Sequence, residues 1–219
     1  MSRSVSKSVL VKICGVTNSD DAVWATNLGV DFIGINMYSE SSRKVSLEKA
    51  IDIISSLPSF VKTVGVFVDP ELGLLEKILK KVKFHYLQLH GNEPRELVEQ
   101  IKNQFQLPIW KAIHMENAES VQKIEQYQGL VHAVLLDAYH PEQWGGAGTT
   151  FDWSYVSAAK AFGIPIVLSG GLNSENVQSA IHQTEPYGVD VASSVEKKDH
   201  PRKKDIDKMK AFLFKAKSV

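Results

Sequence analysis

The alternation of apolar runs with helical segments is the feature that most constrains the fold of this chain. Eight short runs recur along the 219 residues: "VLVKIC", "DFIGINM", "KTVGVFV", "HYLQLH", "PIWKAI", "HAVLLDA", "PIVLSG" and "YGVDVA". Segments with helical spacing separate them. Candidate N-caps of three of these helices are Asn18 or Ser19, Ser46, and Asn173 or Ser174. Repetition of strand, helix and strand predicts parallel pairing with right-handed crossovers.

Eight strand–helix units in a chain of this length fit a closed (β/α)8 TIM barrel, and we predict one such domain over residues 1–219. The strands are expected to begin near positions 9, 31, 62, 85, 108, 132, 165 and 187. The alternative is an open doubly wound sheet. Its usual G-x-G-x-x-G turn is absent after the first strand, where Val16 and Thr17 follow Gly15. The basic stretch "KKDHPRKK" near the end is expected to be a solvated approach to the last helix.

Composition narrows the expected partners and compartment. The 25 Lys and Arg residues balance 25 Asp and Glu residues, which argues against nucleic acid or an anionic membrane as the main partner. Cys14 is the only cysteine, so the chain cannot form an internal disulfide. No long apolar segment predicts a membrane span or a signal peptide. We expect a cytoplasmic monomer or homodimer that takes a small-molecule substrate.

Polar residues at the ends of the runs are candidates for an active site, because barrels of this type build their sites at the carboxyl ends of the strands. Side chains two residues apart share a face of a strand. Gln88 therefore points the same way as His90, and Lys12 the same way as Cys14. Purely structural interpretations remain open at this point, since a lone cysteine is often a small buried apolar residue.

The double glycine after the seventh run is the least easily explained by structure alone. Glycine lets the backbone approach a ligand closely, and Gly170 and Gly171 precede a predicted helix whose free N–H groups would face the mouth. Phosphate binding by the loops after strands seven and eight recurs in this architecture. We therefore predict a barrel of the phosphate-binding type.

Several segments resemble phosphoribosylanthranilate isomerases, the enzymes that carry out the Amadori rearrangement of tryptophan biosynthesis. They are "VKICGVTN", "VGVFVD", "LQLHGNE", "LLDAYHPEQWGGAGTTFDW", "LSGGLNSENV" and "GVDVASSVE", and they follow one another over nearly the whole chain. The resemblance implies a (β/α)8 barrel that uses no metal and no organic cofactor.

The resemblance also implies roles for particular residues. The general base falls on Cys14 and the general acid on Asp137. Arg43 is expected to hold the anthranilate carboxylate, and His90 to line the sugar site. The remaining substrate-binding residues implied, most of them in the phosphate site, are Gly170, Gly171, Asp190, Ala192, Ser193 and Ser194.

Two positions at the end of the eighth strand depart from the family pattern. Members usually read "DVSSGVE", whereas Ala192 here replaces a serine and Ser194 replaces a glycine. A lost hydroxyl would remove one hydrogen bond to phosphate, on the order of 1.5–3 kcal/mol for a bond to a charged group. Backbone N–H donors survive both changes, so we expect a weakened phosphate site.

The implied chemistry explains the residue types. Ring opening of a ribosylamine needs an acid, and Asp137 can serve only if it carries a proton near neutral pH. Removal of the proton at C2′ needs a base. A thiol with a reference pKa of ~8.5 would be activated by modest stabilisation of its thiolate. Lys12 could supply that stabilisation, or it could pair with an acid inside the barrel.

The loop at 139–150 is predicted to be a mobile lid, with Gly145, Gly146 and Gly148 allowing closure. The alternative is a static turn that packs Trp144 on the barrel. Two other functions stay open: a sugar-phosphate isomerase of the histidine-pathway type, which usually relies on an aspartate base, and a non-catalytic barrel that binds a sugar phosphate.

Overall fold

The structure, a computed structural model, describes residues 9–139 and 150–219. Eight parallel strands form a closed barrel in chain order, and the first strand pairs with the last from Leu10↔Gly188 to Ile13↔Val191. The strands are β1 (Leu10–Ile13), β2 (Phe32–Asn36), β3 (Lys62–Phe67), β4 (Tyr86–Leu89), β5 (Ile109–Met115), β6 (Ala133–Ala138), β7 (Ile166–Leu168) and β8 (Gly188–Val191). The predicted barrel is confirmed, and each strand begins within one residue of its expected start.

Helices cover the outside of the barrel. They are α1 (Ser19–Asn27), α2 (Leu47–Ser55), α3 (Leu72–Lys81), α4 (Arg95–Phe105), α5 (Tyr155–Lys160), α6 (Val177–Thr184) and α7 (Ile206–Lys217), and a 3₁₀ helix at Ala118–Tyr127 connects β5 to β6. No helix of the described ranges is long and apolar enough to cross a membrane.

Local capping accounts for two of the predicted helix starts and corrects the third. The side chains of Asn18 and Ser46 accept hydrogen bonds from backbone N–H groups in the first turns of α1 and α2. The sixth helix starts later than predicted, at Val177. The reason is that the Asn173 side chain accepts the N–H groups of Glu175 and Asn176, which closes a separate turn before the helix.

An apolar cluster fills the inside of the barrel toward the amino ends of its strands. Its residues are Phe32, Val64, Trp110, Ala112, Ala133, Leu135 and Val167. The rings of Phe32 and Trp110 pack edge to face with their centroids 4.9 Å apart. A larger cluster lies between the strands and the helices. Because the inner cluster closes one end, polar side chains inside the barrel are confined to the end where the strands finish.

The basic stretch at 197–204 forms a hairpin that was not predicted from the sequence. A short strand, β9 (Glu196–Lys197), pairs antiparallel with β10 (His200–Lys204). Lys204 is fully buried, and the Arg202 guanidinium donates to the carbonyl oxygens of Ser42 and Lys44 at 2.5 and 2.8 Å. Residues 197–203 are exposed and lead into α7, as predicted. The prediction did not include the hairpin, which folds back onto the loop that follows β2 and buries Lys204.

Candidate active site

A cavity of about 320 Å³ opens where the strands end. Among the residues singled out from the sequence, it is lined by Cys14, Arg43, His90, Asp137, Asp190 and Ala192. Other lining residues include Asn36, Tyr38, Gln88 and Ser169. The barrel thus brings together in one cavity six residues taken from five separate parts of the sequence.

Cys14 follows β1 and is buried, with 9% of its surface exposed. A glycine on the neighbouring strand makes room for it, because a Cβ at Gly34 would lie only 2.8 Å from the Cys14 sulfur and 3.0 Å from Lys12 Cε. This contribution of Gly34 was not predicted from the sequence, although a glycine inside a strand often marks a close approach. The Lys12 ammonium lies 2.9 Å from the Asp190 carboxylate, and both side chains are buried.

The buried pair sets the charge around the thiol. Burial raises the pKa of the Cys14 thiol above its usual range; the positive charge of Lys12 opposes this shift and Asp190 adds to it. Burial alone would lower the pKa of Lys12, but Asp190 outweighs it, so the pKa of Lys12 is raised and the ammonium stays charged. Lys12 thus pairs with an acid inside the barrel, and its charge also favours the thiolate form of Cys14. The resting Cys14 is thus a thiol rather than a stabilised thiolate.

Asp137 and His90 face each other across the mouth. Asp137 Oδ2 lies 3.2 Å from His90 Nε2, and its other oxygen accepts the N–H of Ala138 at 3.0 Å. His90 Nδ1 is 2.6 Å from the side-chain nitrogen of Gln88. Asp137 and His90 are both more than nine-tenths buried. The two side chains are within hydrogen-bonding distance of each other inside the cavity.

His114 on β5 joins this group, and the sequence analysis did not single it out. Its Nε2 donates to the carbonyl oxygen of His90 at 3.1 Å. Burial, with the neighbouring His90 ring, lowers the pKa of His114 to about 4. The only sequence signal was its position next to the end of a strand, at the level of the mouth.

Within the described part of the chain, one group of side chains of the metal-ligating type gathers. The ligand-type atoms of His90, His114 and Asp137 all lie within 4.8 Å of one another. Two imidazoles and a carboxylate suit either a divalent cation or a shared proton. The contacts among them are the approach of His90 to Asp137 and the hydrogen bond from His114 to the His90 carbonyl oxygen.

Arg43 enters the cavity from the loop after β2 and is held by a residue that follows β8, on the other side of β1. Its Nε and Nη2 donate to the two carboxylate oxygens of Glu196 at 2.6 and 2.8 Å. The buried Lys204 ammonium lies 3.2 Å from the same carboxylate and donates to the carbonyl oxygen of Ala192 at 2.9 Å. We call Arg43, Glu196 and Lys204 the Glu196 cluster. Neither Glu196 nor Lys204 was identified from the sequence.

Gly15 is required by the position of Arg43. Its φ is +69°, in the left-handed region, and a Cβ there would lie 2.4 Å from Arg43 Cδ. Gly15 therefore leaves room for the aliphatic part of the Arg43 side chain to pass over the backbone just after β1.

The predicted phosphate loop lies beside the cavity. Gly170 and Gly171 have φ values of +79° and +60°, and Asn176 donates to the Gly171 carbonyl oxygen at 3.0 Å. The Ser194 hydroxyl donates to the Leu172 carbonyl oxygen at 2.5 Å. Ser169 and Ala192, which line the cavity, are chain neighbours of this loop. Gly170, Gly171, Ser193 and Ser194 are not among its lining residues, and their phosphate-binding role stays a prediction.

The predicted lid falls almost wholly outside the described residues. Only Tyr139 and Thr150, at its two ends, are described, so Trp144, Gly145, Gly146 and Gly148 lie outside the structure's described ranges.

Comparison with known proteins identifies the family. Residues 11–215 match the family model for N-(5'-phosphoribosyl)anthranilate (PRA) isomerase. The N-(5'-phosphoribosyl)anthranilate isomerase of Thermotoga petrophila is 41% identical over 96% of this chain and 100% of its own length. That of Geobacter sulfurreducens is 39% identical over 95% of this chain and 98% of its own length.

Solved structures agree with this assignment. The crystal structure of phosphoribosylanthranilate isomerase from Thermotoga maritima superposes with a TM-score of 0.88 at 40% identity, covering 96% of this chain and all of that one. A phosphoribosylanthranilate isomerase in complex with reduced 1-(o-carboxyphenylamino)-1-deoxyribulose 5-phosphate gives a TM-score of 0.85 at 38% identity, with the same coverage. The chain therefore belongs to the phosphoribosylanthranilate isomerase family.

Proposed function

We propose that the protein, as a single barrel domain in the cytoplasm, isomerises N-(5'-phosphoribosyl)anthranilate to 1-(2-carboxyphenylamino)-1-deoxyribulose 5-phosphate in tryptophan biosynthesis. One observation carries the proposal: in a chain of this family, the thiol of Cys14 and the carboxyl group of Asp137 line the same cavity. The reaction is an Amadori rearrangement, and no metal or organic cofactor is needed.

Asp137 acts as the general acid. It delivers a proton to the furanose oxygen, the bond from C1′ to that oxygen breaks, and the anilino nitrogen supplies its lone pair to form an iminium ion. His90 supports this role, because its Nε2 lies 3.2 Å from Asp137 Oδ2 and the pair can hold the proton between them. Burial of both groups keeps water from competing for it.

Cys14 acts as the general base. In the iminium ion the positive nitrogen acidifies the proton on C2′, so a thiolate can remove it and leave an enaminol. The enaminol then takes a proton on C1′ and loses its hydroxyl proton to become the ketose. The charged Lys12, beside the thiol, offsets part of the cost of forming a buried thiolate.

The two anionic ends of the substrate are bound at separate places in the site. Arg43 binds the anthranilate carboxylate, and the surplus of positive charge in the Glu196 cluster favours an anion there. The phosphate is bound by backbone N–H groups of the loop at 170–171 and of the chain at 192–194, because both segments are partly exposed beside the cavity.

The test is the fluorescence decrease of phosphoribosylanthranilate with the purified protein and two variants. We expect turnover by the natural chain, and loss of turnover in Cys14→Ala and in Asp137→Ala, with the reduced product analogue still bound. Near-parental kcat in either variant would contradict its role. Conversion of a histidine-pathway aldose instead, or binding without any isomerisation, would contradict the activity itself.

A further inference from the structure

A residue that lines the cavity carries a buried polar atom without a partner among the described residues. Gln88 on β4 is 1% exposed and lines the cavity. One end of its side-chain amide lies 2.6 Å from His90 Nδ1, but its Oε1 has no hydrogen-bond partner among the described residues. Buried amide groups are almost always paired at both ends, so this acceptor points to a missing donor.

The conclusion does not depend on which way the amide is turned. Rotation by 180° exchanges oxygen and nitrogen, and the two orientations fit the two tautomers of the His90 ring. In either orientation one end of the amide serves His90 and the other is directed away from it. The second end of the amide therefore needs a donor if it is the oxygen, or an acceptor if it is the nitrogen.

We propose that Gln88 binds a hydroxyl group of the sugar chain while its other end orients the His90 ring beside Asp137. This inference rests on the proposed function. A hydroxyl group both donates and accepts, so it suits either orientation of the amide. A carboxylate or phosphate oxygen carries no hydrogen for Oε1, and those groups are assigned to Arg43 and to the loop at 170–171. The anilino N–H is the other donor that the substrate offers.

A structural explanation competes with this proposal. Trp110 is paired in register with Gln88 on the adjacent strand, and its buried Nε1 also lacks a partner within residues 9–139 and 150–219. A small shift could let the indole N–H donate to Gln88 Oε1. In that case Gln88 would contribute to stability but would not distinguish ligands by their hydroxyl groups.

The experiment compares the natural chain with Gln88→Met, which keeps the length of the side chain and removes its amide. Leu87→Met is the matched control, because Leu87 is also fully buried on β4 but belongs to the cluster outside the barrel. Calorimetry would measure binding of the reduced product analogue and of three counterparts that each lack one hydroxyl, at C2, C3 or C4. We expect one counterpart to bind the natural chain and Leu87→Met about tenfold more weakly than the parent analogue.

Gln88→Met should bind the parent analogue about tenfold more weakly and should lose the preference for that hydroxyl. The ring ¹⁵N signals of His90 should shift in Gln88→Met and stay in place in Leu87→Met. If the natural chain binds all three counterparts as well as the parent, or if Gln88→Met keeps the preference, the proposal is overturned. A loss of stability alone in Gln88→Met would support the Trp110 explanation. Failure of the natural chain to isomerise the substrate would instead overturn the proposed function.

Discussion

At the scale of single residues, Cys14 and Asp137 differ in their neighbours rather than in their burial. Cys14 and Asp137 both lie less than one-tenth exposed in the same cavity, yet their surroundings differ. The thiol lies beside the Lys12–Asp190 ion pair, and the carboxyl group lies beside the His90 ring. The proposed base and the proposed acid therefore have separate polar neighbours within one cavity.

The raised pKa of Cys14 gives a pH dependence. The usual value is 9.0 and burial moves it upward, so the thiolate fraction is small at neutral pH and grows as pH rises toward and beyond that value. We expect alkylation of Cys14 by iodoacetamide to accelerate with pH over this alkaline range. Lys12→Met should move the midpoint to still higher pH, because it removes the charge that favours the thiolate. A midpoint below that of a free thiol would contradict the assignment.

Arg43→Ala should raise KM about tenfold to a hundredfold and change kcat little, because a paired charged hydrogen bond to the substrate is worth about 1.5–3 kcal/mol. Steady-state kinetics would measure the split. Arg43→Lys is the informative comparison, since lysine keeps the charge but not the planar fork. An unchanged KM in Arg43→Ala would show that Arg43 serves only to pair with Glu196.

At the scale of elements, buried ion pairs fasten the turns of the mouth to the strands. Glu93, in the turn after β4, is fully buried and lies 2.9 Å from Lys111 of β5. Its other oxygen accepts the N–H groups of Asp69 and Gly91 at 3.0 and 2.9 Å. One carboxylate thus joins the loops after β3 and β4 to the fifth strand.

Removal of one partner of this pair should be costly. Glu93→Gln leaves the buried Lys111 ammonium uncompensated, and we expect the free energy of unfolding to fall by about 3–5 kcal/mol in urea titrations. The double variant Glu93→Gln, Lys111→Met should be less destabilised than Glu93→Gln alone, because it removes the unpaired charge. A larger loss in the double variant would contradict this account.

The same pair predicts a dependence on acid. Burial alone would raise the pKa of Glu93, but Lys111 and the backbone donors outweigh it and hold the pKa below 4.5. A depressed folded-state pKa gives stability that is present above the unfolded pKa and lost as pH falls through the lower folded value. The urea midpoint of the natural chain should therefore decrease as the pH is lowered below about 4.5. The part of this decrease that comes from Glu93 should be absent in the double variant.

At the scale of the whole molecule, barrel closure presses one strand end against the next. Gly170 follows β7, and a Cβ there would lie 2.6 Å from the Ala138 nitrogen and 3.2 Å from Asp137 Oδ1. The predicted phosphate loop and the proposed acid therefore share one packing contact. A substitution at Gly170 should therefore displace the Asp137 carboxyl group.

Gly170→Ala should lower both stability and kcat. Positive φ costs alanine about 1–2 kcal/mol, and the overlap with β6 adds about 1–3 kcal/mol. Gly163→Ala is the matched control, because its φ is +72° but a Cβ would meet nothing within 4 Å. Thermal unfolding and kcat should show a small stability loss and normal turnover in that control. Equal kinetics in both variants would contradict the contact with Asp137.

The sequence alone determined the barrel and most of the residues of its mouth. The alternation of β-rich and helical segments is a local pattern, so it can be recognised without knowing which residues are in contact. Position at a strand end located Cys14, His90 and Asp137. Local chemistry was also sufficient for the caps at Asn18 and Ser46. At 197–204 the charge correctly indicated exposure of residues 197–203, but it did not reveal the hairpin or the burial of Lys204.

Only the tertiary structure decided how these residues are charged and held. Lys12 meets Asp190 across 178 residues of sequence, and Arg43 meets Glu196 across 153. These pairs form because closure of the barrel brings its first and last strands together. The same closure removes water from the thiol, which raises its pKa, and buries one end of the Gln88 amide without a partner among the described residues. Desolvation and long-range pairing depend on distances in space, and a pattern of residues along the chain does not contain them.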